Sequence, residues 1–184
     1  STLDLEWFYG PEPQQSKYPH DLLRAESLGR QTGSIPCVLA HIDNTTDDAQ
    51  KRRAYRTRFG TMFVHEIRTY LWGHGEKELM DIVLDFGYSL PDCKVLNYWD
   101  DGYPVDTGDK DVKSILLKRD GKLLLVFASW HGTPREITVR VDAKALGDAK
   151  VAKDAESGQA IELADGNAFP LPLDAYGVRV IRME

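Results

Sequence analysis

Ile115-Leu116-Leu117-Lys118-Arg119-Asp120-Gly121-Lys122-Leu123-Leu124-Leu125-Val126-Phe127-Ala128-Ser129-Trp130 is the most informative stretch of this chain. Two apolar runs flank Asp120-Gly121. That pair signals a β-hairpin, because a type I′ turn needs positive φ at both central positions, which Gly adopts freely and Asp tolerates. Near Val112 the chain changes character. Upstream, strand-like and helix-like runs alternate; downstream, only short β runs follow.

From Val112 onward the sequence predicts about seven short strands. Turn signals separate them at residues 131–134 (HGTP), 147–148 (GD), 156–158 (ESG) and 164–167 (ADGN). Residues 136–142 (EITVRVD) alternate with Ile137, Val139 and Val141 on one face, and residues 177–183 (GVRVIRM) close in the same way. A small antiparallel sandwich is the expected outcome.

Upstream, residues 3–9 (LDLEWFY) read as a strand closed by Gly10-Pro11, and a polar, proline-containing loop follows. Residues 20–28 carry helical spacing through Leu22, Leu23, Ala25 and Leu28. Residues 35–42 (IPCVLAHI) form a near-continuous apolar run, as expected of a strand buried on both faces. Residues 43–47 (DNTTD) offer N-caps for a helix over 48–59 that Gly60 is expected to stop. Residues 61–72 (TMFVHEIRTYLW) have strand composition at a length that also suits a buried helix. Residues 76–86 put Leu79, Ile82, Val83 and Phe86 on one helical stripe. This alternation predicts βα units around a parallel sheet. The expected fold is an α/β segment over residues 1–111, either a partial barrel or a small parallel layer, followed by an all-β antiparallel sandwich over 112–184.

A chain of 184 residues that is 42% hydrophobic can bury one large core or two small ones. The net charge of −6 argues against a nucleic-acid partner. The basic group Lys51, Arg52, Arg53, Arg56 and Arg58 reads as a solvated helix face, since Asp47 and Asp48 open the same helix. No apolar run is long enough to span a membrane. Residues 1–4 (STLD) do not read as a secretory signal, and a chain opening directly on a strand-like run reads as a piece of a longer polypeptide. Cys37 and Cys93 are expected to be buried free thiols, with one disulfide as the alternative.

Residues 124–130, 136–141, 152–158 with their Glu-x-Gly turn, 171–173 and 176–181 resemble the C-terminal β-sandwich that follows the (β/α)8 barrel in many bacterial glycoside hydrolases. The first half looks like the last βα units of such a barrel, with residues 3–9, 35–42 and 62–67 as its closing strands. Three strands cannot close a barrel that needs eight, so the resemblance implies a missing upstream barrel portion as a partner. It also implies a carbohydrate substrate and a secreted or periplasmic location.

Working residues of barrel enzymes sit at the C-terminal ends of strands. Three such ends carry suitable groups: Glu6 with Trp7 and Tyr9, His41 with Asp43, and His65 with Glu66. Glycoside hydrolysis needs two carboxyls, one donating a proton and the other acting as nucleophile or base. Glu6, Asp43 and Glu66 are therefore the catalytic candidates. Trp7, His41, His65, Tyr98, Trp99 and Asp100 are the substrate-binding candidates, because a pyranose stacks its apolar face on a flat ring beside hydrogen-bonding groups.

No cofactor is expected. His41, His65 and His74 with Asp43 lack the spacing of a metal site. The loop of residues 100–111 is rich in hard oxygen ligands and is a candidate for Ca²⁺, though it does not fit the EF-hand pattern. Two other classes compete with the hydrolase: a non-catalytic carbohydrate-binding module and a structural accessory domain.

Overall fold

The computed structural model describes residues 2–4, 7–9, 11–27, 34–42, 47–69, 73–147 and 149–184. In the first half, β1 (Thr2–Asp4) and β2 (Trp7–Tyr9) precede helix α1 (His20–Ser27) and β3 (Ser34–His41). Both short strands pair in parallel with β3, Leu3 opposite Ile35 and Phe8 opposite Ala40. Helix α2 (Asp48–Phe63) leads to β4 (Arg68–Thr69), again parallel to β3, and helix α3 (His74–Phe86) follows. The expected parallel pairing is present, but residues 3–9 are not one strand: β1 and β2 are separate and lie on either side of β3.

Residues 62–67, however, are not a strand. Gly60 does not stop α2, which runs on to Phe63, and residues 64–66 form the turn that ends it. Packing explains the difference. A Cβ on Gly60 would lie 2.4 Å from Val178 Cγ2 and 3.3 Å from Ala128 Cβ, so this glycine lets the helix backbone press against the sheet. Its cost in helix propensity is outweighed by that burial.

The remaining strands are antiparallel. They are β5 (Lys94–Asn97), β6 (Val105–Asp106), β7 (Val112–Arg119), β8 (Lys122–Ser129), β9 (Arg135–Val141), β10 (Ala152–Asp154), β11 (Ala160–Ile161), β12 (Ala168–Leu173) and β13 (Val178–Met183), with the short helix α4 (Ala143–Leu146) between β9 and β10. They form a six-stranded sheet in the order β11-β10-β13-β8-β7-β5 and a three-stranded sheet β12-β9-β6. The β7–β8 turn has φ 49° at Asp120 and 73° at Gly121, as type I′ requires. Pro170 and Pro172 are tolerated because β12 is an edge strand. β5 and β6 join these sheets although they precede Val112; strands of four and two residues carry too little pattern to be read from sequence.

The six-stranded sheet is apolar on both faces. Leu116, Leu123, Leu125, Phe127, Ile181 and Met183 meet Val139, Val141, Phe169 and Leu171 of the small sheet. The alternate residues Ile115, Leu117, Leu124, Val126, Val178 and Val180 meet Phe59, Phe63, Leu79, Val83 and Phe86 of α2 and α3. This double burial is why β7 and β8 read as continuous apolar runs.

The basic group on α2 is only in part a solvated face: Arg52 and Arg53 are exposed, whereas the others are half-buried or buried. Arg58 and Glu76 are fully buried and ion-paired, joining α2 to the first turn of α3. Arg56 binds Glu156 through two bonds of 2.6 and 2.7 Å, and Arg52 pairs with Glu78. Among the described residues Cys93 is a free, half-buried thiol, whereas the side chain of Cys37 lies outside the description.

At the end of α2, fully buried His65 bonds the Thr61 carbonyl through Nδ1 at 2.7 Å. Burial pushes its imidazole down to about 4, against the opposing pull of that hydrogen bond. The ring is therefore neutral near pH 7 and costly to charge in place.

Two measurements check this packing. Gly60→Ala should lower stability by about 1–2 kcal/mol in urea unfolding, because overpacking against Val178 exceeds the gain in helix propensity. Combining it with Val178→Ala should cost less than the sum of the two single changes. For His65 the unfolded chain takes up a proton below about pH 6.5 and the folded chain does not. Stability should therefore fall as pH drops from about 6.5 towards 4, by on the order of 3 kcal/mol in total. That slope should be visibly shallower in His65→Gln.

Candidate functional site

The end of α2, the start of α1, the connection after β5 and the first residues of β7 converge on one ring cluster. His65 lies edge-on to Tyr98 at 5.7 Å and to Trp130 at 5.6 Å, and near-parallel to Trp99 at 6.3 Å. Because Nδ1 donates to Thr61, Nε2 is the acceptor, and the Tyr98 hydroxyl donates to it at 3.1 Å. Burial pushes the Tyr98 phenol up to about 12, so it keeps its proton. Trp130 Nε1–H donates to the Tyr18 carbonyl at 2.9 Å, and His20 lies edge-on to the Trp130 ring.

Cations cover the outward rings. The Arg24 guanidinium sits 4.0 Å from the Trp99 ring centre and Lys113 Nζ 5.0 Å from that of Tyr98. Burial lowers the pKa of the Lys113 amine, with nearby Asp21, Asp111 and Asp109 working the other way. A cleft of about 350 Å³ opens beside Tyr98 and Lys113, bounded also by Tyr103, Thr107 and Asp109.

The carboxylates here have defined attachments. Asp100 accepts the Asn97 backbone N–H at 2.8 Å and so closes the turn that carries Tyr98 and Trp99. Glu66 is exposed, has φ 54° and accepts Asn97 Nδ2 at 2.8 Å. It precedes β4, whereas Tyr9 and His41 end β2 and β3, which run parallel to that sheet line. Glu66 and His65 thus stand at the opposite end of the parallel strands from Tyr9 and His41. Glu6 and Asp43 lie outside the described residues, as do the side chains of Trp7 and His41. The structure therefore brings together His65, Glu66, Tyr98, Trp99 and Asp100 of the nine expected positions.

Asp109, Asp111 and His131 place ligand atoms within 4.8 Å of one another. Asp109 is already engaged: His131 Nε2 reaches both its oxygens at 2.9 Å and Arg135 donates to Oδ2 at 2.8 Å. Burial alone would raise the Asp109 pKa, but the bonds from His131, the Asp111 backbone and Arg135 bring it below the ordinary range. Arg135 and His131 thus already engage both oxygens of Asp109.

Sequence reading missed Arg24, Lys113 and His20. Lys113 had a readable signal: it alternates with Ile115 and Leu117 on the row that faces the helices, where a lysine is out of pattern.

Comparison with known proteins follows from this architecture. No curated protein sequence matches the chain. The β-L-arabinopyranosidase of Geobacillus stearothermophilus, a GH27 enzyme, superposes with a TM-score of 0.57 at 7% identity, over 97% of this chain and 45% of that one. A substituted form of it in complex with arabinose gives 0.56 at 10% identity over the same shares. The α-galactosidase I of Mortierella vinacea gives 0.49 at 11% identity over 88% and 42%. At these identities the likeness to the arabinopyranosidase is one of fold, and this chain spans about 45% of its length. The sequence pattern of the glycoside hydrolase 123 C-terminal domain matches residues 77–168, which take in α3, both strands of the β7–β8 hairpin and most of the two sheets, and the chain belongs to that family.

Proposed function

We propose that this chain is the C-terminal part of a carbohydrate-active enzyme, a glycoside hydrolase. Its parallel strands β1 to β4 would supply the last βα units of a (β/α)8 barrel, and the sandwich would brace them. The observation that carries this reading is the direct run from parallel βα units into the family's β-sandwich, a succession that superposes on a glycosidase over 97% of the chain. An upstream barrel portion completes the catalytic domain in this reading, and the substrate is a glycan.

Of the three catalytic candidates, Asp43 follows β3 in sequence and Glu6 lies between β1 and β2. Asp43 therefore fits best the rule that barrel enzymes work at the C-terminal ends of their strands, and Glu6 fits it as a residue after β1. Glu66 precedes its strand and is tied to Asn97, which suits a role in holding the β5 connection. Tyr98 and Trp99 form the aromatic edge of the candidate glycan surface. A purely binding role for that edge is the competing reading, and it requires that Arg24 yield the half-buried Trp99 face to a sugar. Ca²⁺ at the Asp109–Asp111–His131 group would have to displace Arg135 from Asp109.

In the natural full-length polypeptide, Glu6→Gln and Asp43→Asn should each lower kcat on an aryl glycoside by about 10²–10⁴-fold, the usual contribution of a positioned acid or base. Glu66→Gln should leave kcat within a few-fold. Equal losses at all three positions, or none, would remove the assignment. For the cation, a thermal melt of the chain with Ca²⁺ at about 1 mM, the upper end of the range of weak extracellular sites, should show no rise in Tm. A rise that grows in Arg135→Ala would instead establish the loop as a calcium site.

A further inference from the structure

A second cleft lies away from the ring cluster. It has a volume of about 930 Å³ and runs between α2 and the turns that join β10 to β11 and β12 to β13. Ion pairs fix its walls. Arg56 and Glu156 are joined through two bonds, and Arg179 meets Asp154 at 2.8 Å. Two charged side chains in the cleft remain outside such pairs among the described residues. Arg53 spends one bond of 3.2 Å on the Ala175 carbonyl, and Asp174 has no ion-pair partner. The two do not pair with each other although they share one cleft.

The same cleft holds a strained aromatic. Tyr176 has φ 56°, the left-handed conformation, at the third position of a turn closed by the Gly177 N–H bonding the Asp174 carbonyl at 2.8 Å. Gly or Asn would adopt this without strain, and a tyrosine does not. The conformation is held from outside. The Tyr176 N–H donates to the His131 carbonyl at 2.8 Å, and Gln15 Nε2 donates to the Tyr176 carbonyl at 3.3 Å. Strain that a structure maintains in this way clusters at binding and catalytic sites.

We propose that this cleft is a second saccharide-binding site, distinct from the Tyr98–Trp99 edge, for a neutral sugar with adjacent hydroxyl groups. Tyr176 offers a flat apolar contact, Arg53 donates to one hydroxyl oxygen and Asp174 accepts from the neighbouring hydroxyl. A guanidinium and a carboxylate held apart in one cleft complement a diol, which is both acceptor and donor. The inference rests on the reading of this chain as carbohydrate-active, and it does not require that the chain contribute to hydrolysis.

The test is titration of the ¹⁵N-labelled chain with a panel of neutral hexose mono- and trisaccharides, followed by amide shifts. At least one sugar should move the signals of residues 53 and 174–177, saturably. Tyr176→Gly should hold or raise Tm, because the turn is relieved, while weakening that binding at least tenfold; Arg53→Met should weaken it without changing Tm. No shift at these residues with any sugar, or unchanged affinity in both variants, overturns the proposal. Shifts confined to residues 98–100 would overturn it while leaving the broader carbohydrate reading intact. Loss of aryl-glycoside turnover in the full-length polypeptide, with the cleft shifts retained, would overturn the hydrolase reading alone.

Discussion

The structure depends on a sheet that cannot be left with either face in water. Leu123, Leu125 and Phe127 point one way along β8, and Leu124, Val126 and Ala128 point the other, all fully buried. A sandwich alone would cover only the first row. The second needs α2 and α3, which belong in sequence to the upstream βα units. At roughly 1.5–3 kcal/mol for each large apolar side chain removed from water, the helix-facing row makes separation of the two halves very costly. Helices α2 and α3 and the sandwich therefore share one core, with the six-stranded sheet as its common wall.

Hydrophobic contact is non-directional and does not by itself fix where a helix sits along a sheet. Here charge pairing supplies that register. The buried Arg58–Glu76 pair sets α2 against α3, and Arg56–Glu156 ties α2 to the turn between β10 and β11. A buried pair is a weak source of net stability, but loss of one partner strands a charge, so misplaced arrangements are penalised. Gly60 completes the arrangement by letting the helix backbone approach Val178.

What could be read from sequence follows the range over which each signal acts. The Asp120-Gly121 hairpin, the alternation of β9 and β13 and the apolar run of β3 are local patterns, and each corresponds to a strand at that place. The count of seven strands from Val112 onward also agrees with the structure. Gly60 was misleading because its role is tertiary: propensity reads a stop where packing demands a close approach. The same holds for Arg58, whose partner is eighteen residues away on another helix. Residues 62–67 combine β-branched and aromatic side chains, yet they end a helix because Phe63 and Val64 are needed beneath the sheet. At the candidate site the aromatic pair Tyr98–Trp99 was legible as a cluster. Its cations were not, since Arg24 and Lys113 arrive from α1 and β7.

One helix serves both candidate surfaces. The outward arginines in the middle of α2 line the large cleft, and its C-terminal turn carries His65 and Glu66 into the ring cluster. From Arg53 to Phe63 a helix rises about 15 Å, so the two surfaces are held at a fixed separation by a single rigid element. The turn bearing Tyr176 is bound by Gln15 from the segment before α1, by Arg53 from α2 and by His131 from beyond β8. Three elements far apart in sequence thus hold one residue in a conformation it disfavours. Such a turn would be cheaper to build with glycine, so retention of the tyrosine has to be explained by what its side chain contacts, not by the path of the backbone. The hydroxyl end of the Tyr176 ring lies against Gly132, and the residue lines the cleft that Arg53 and Asp174 share.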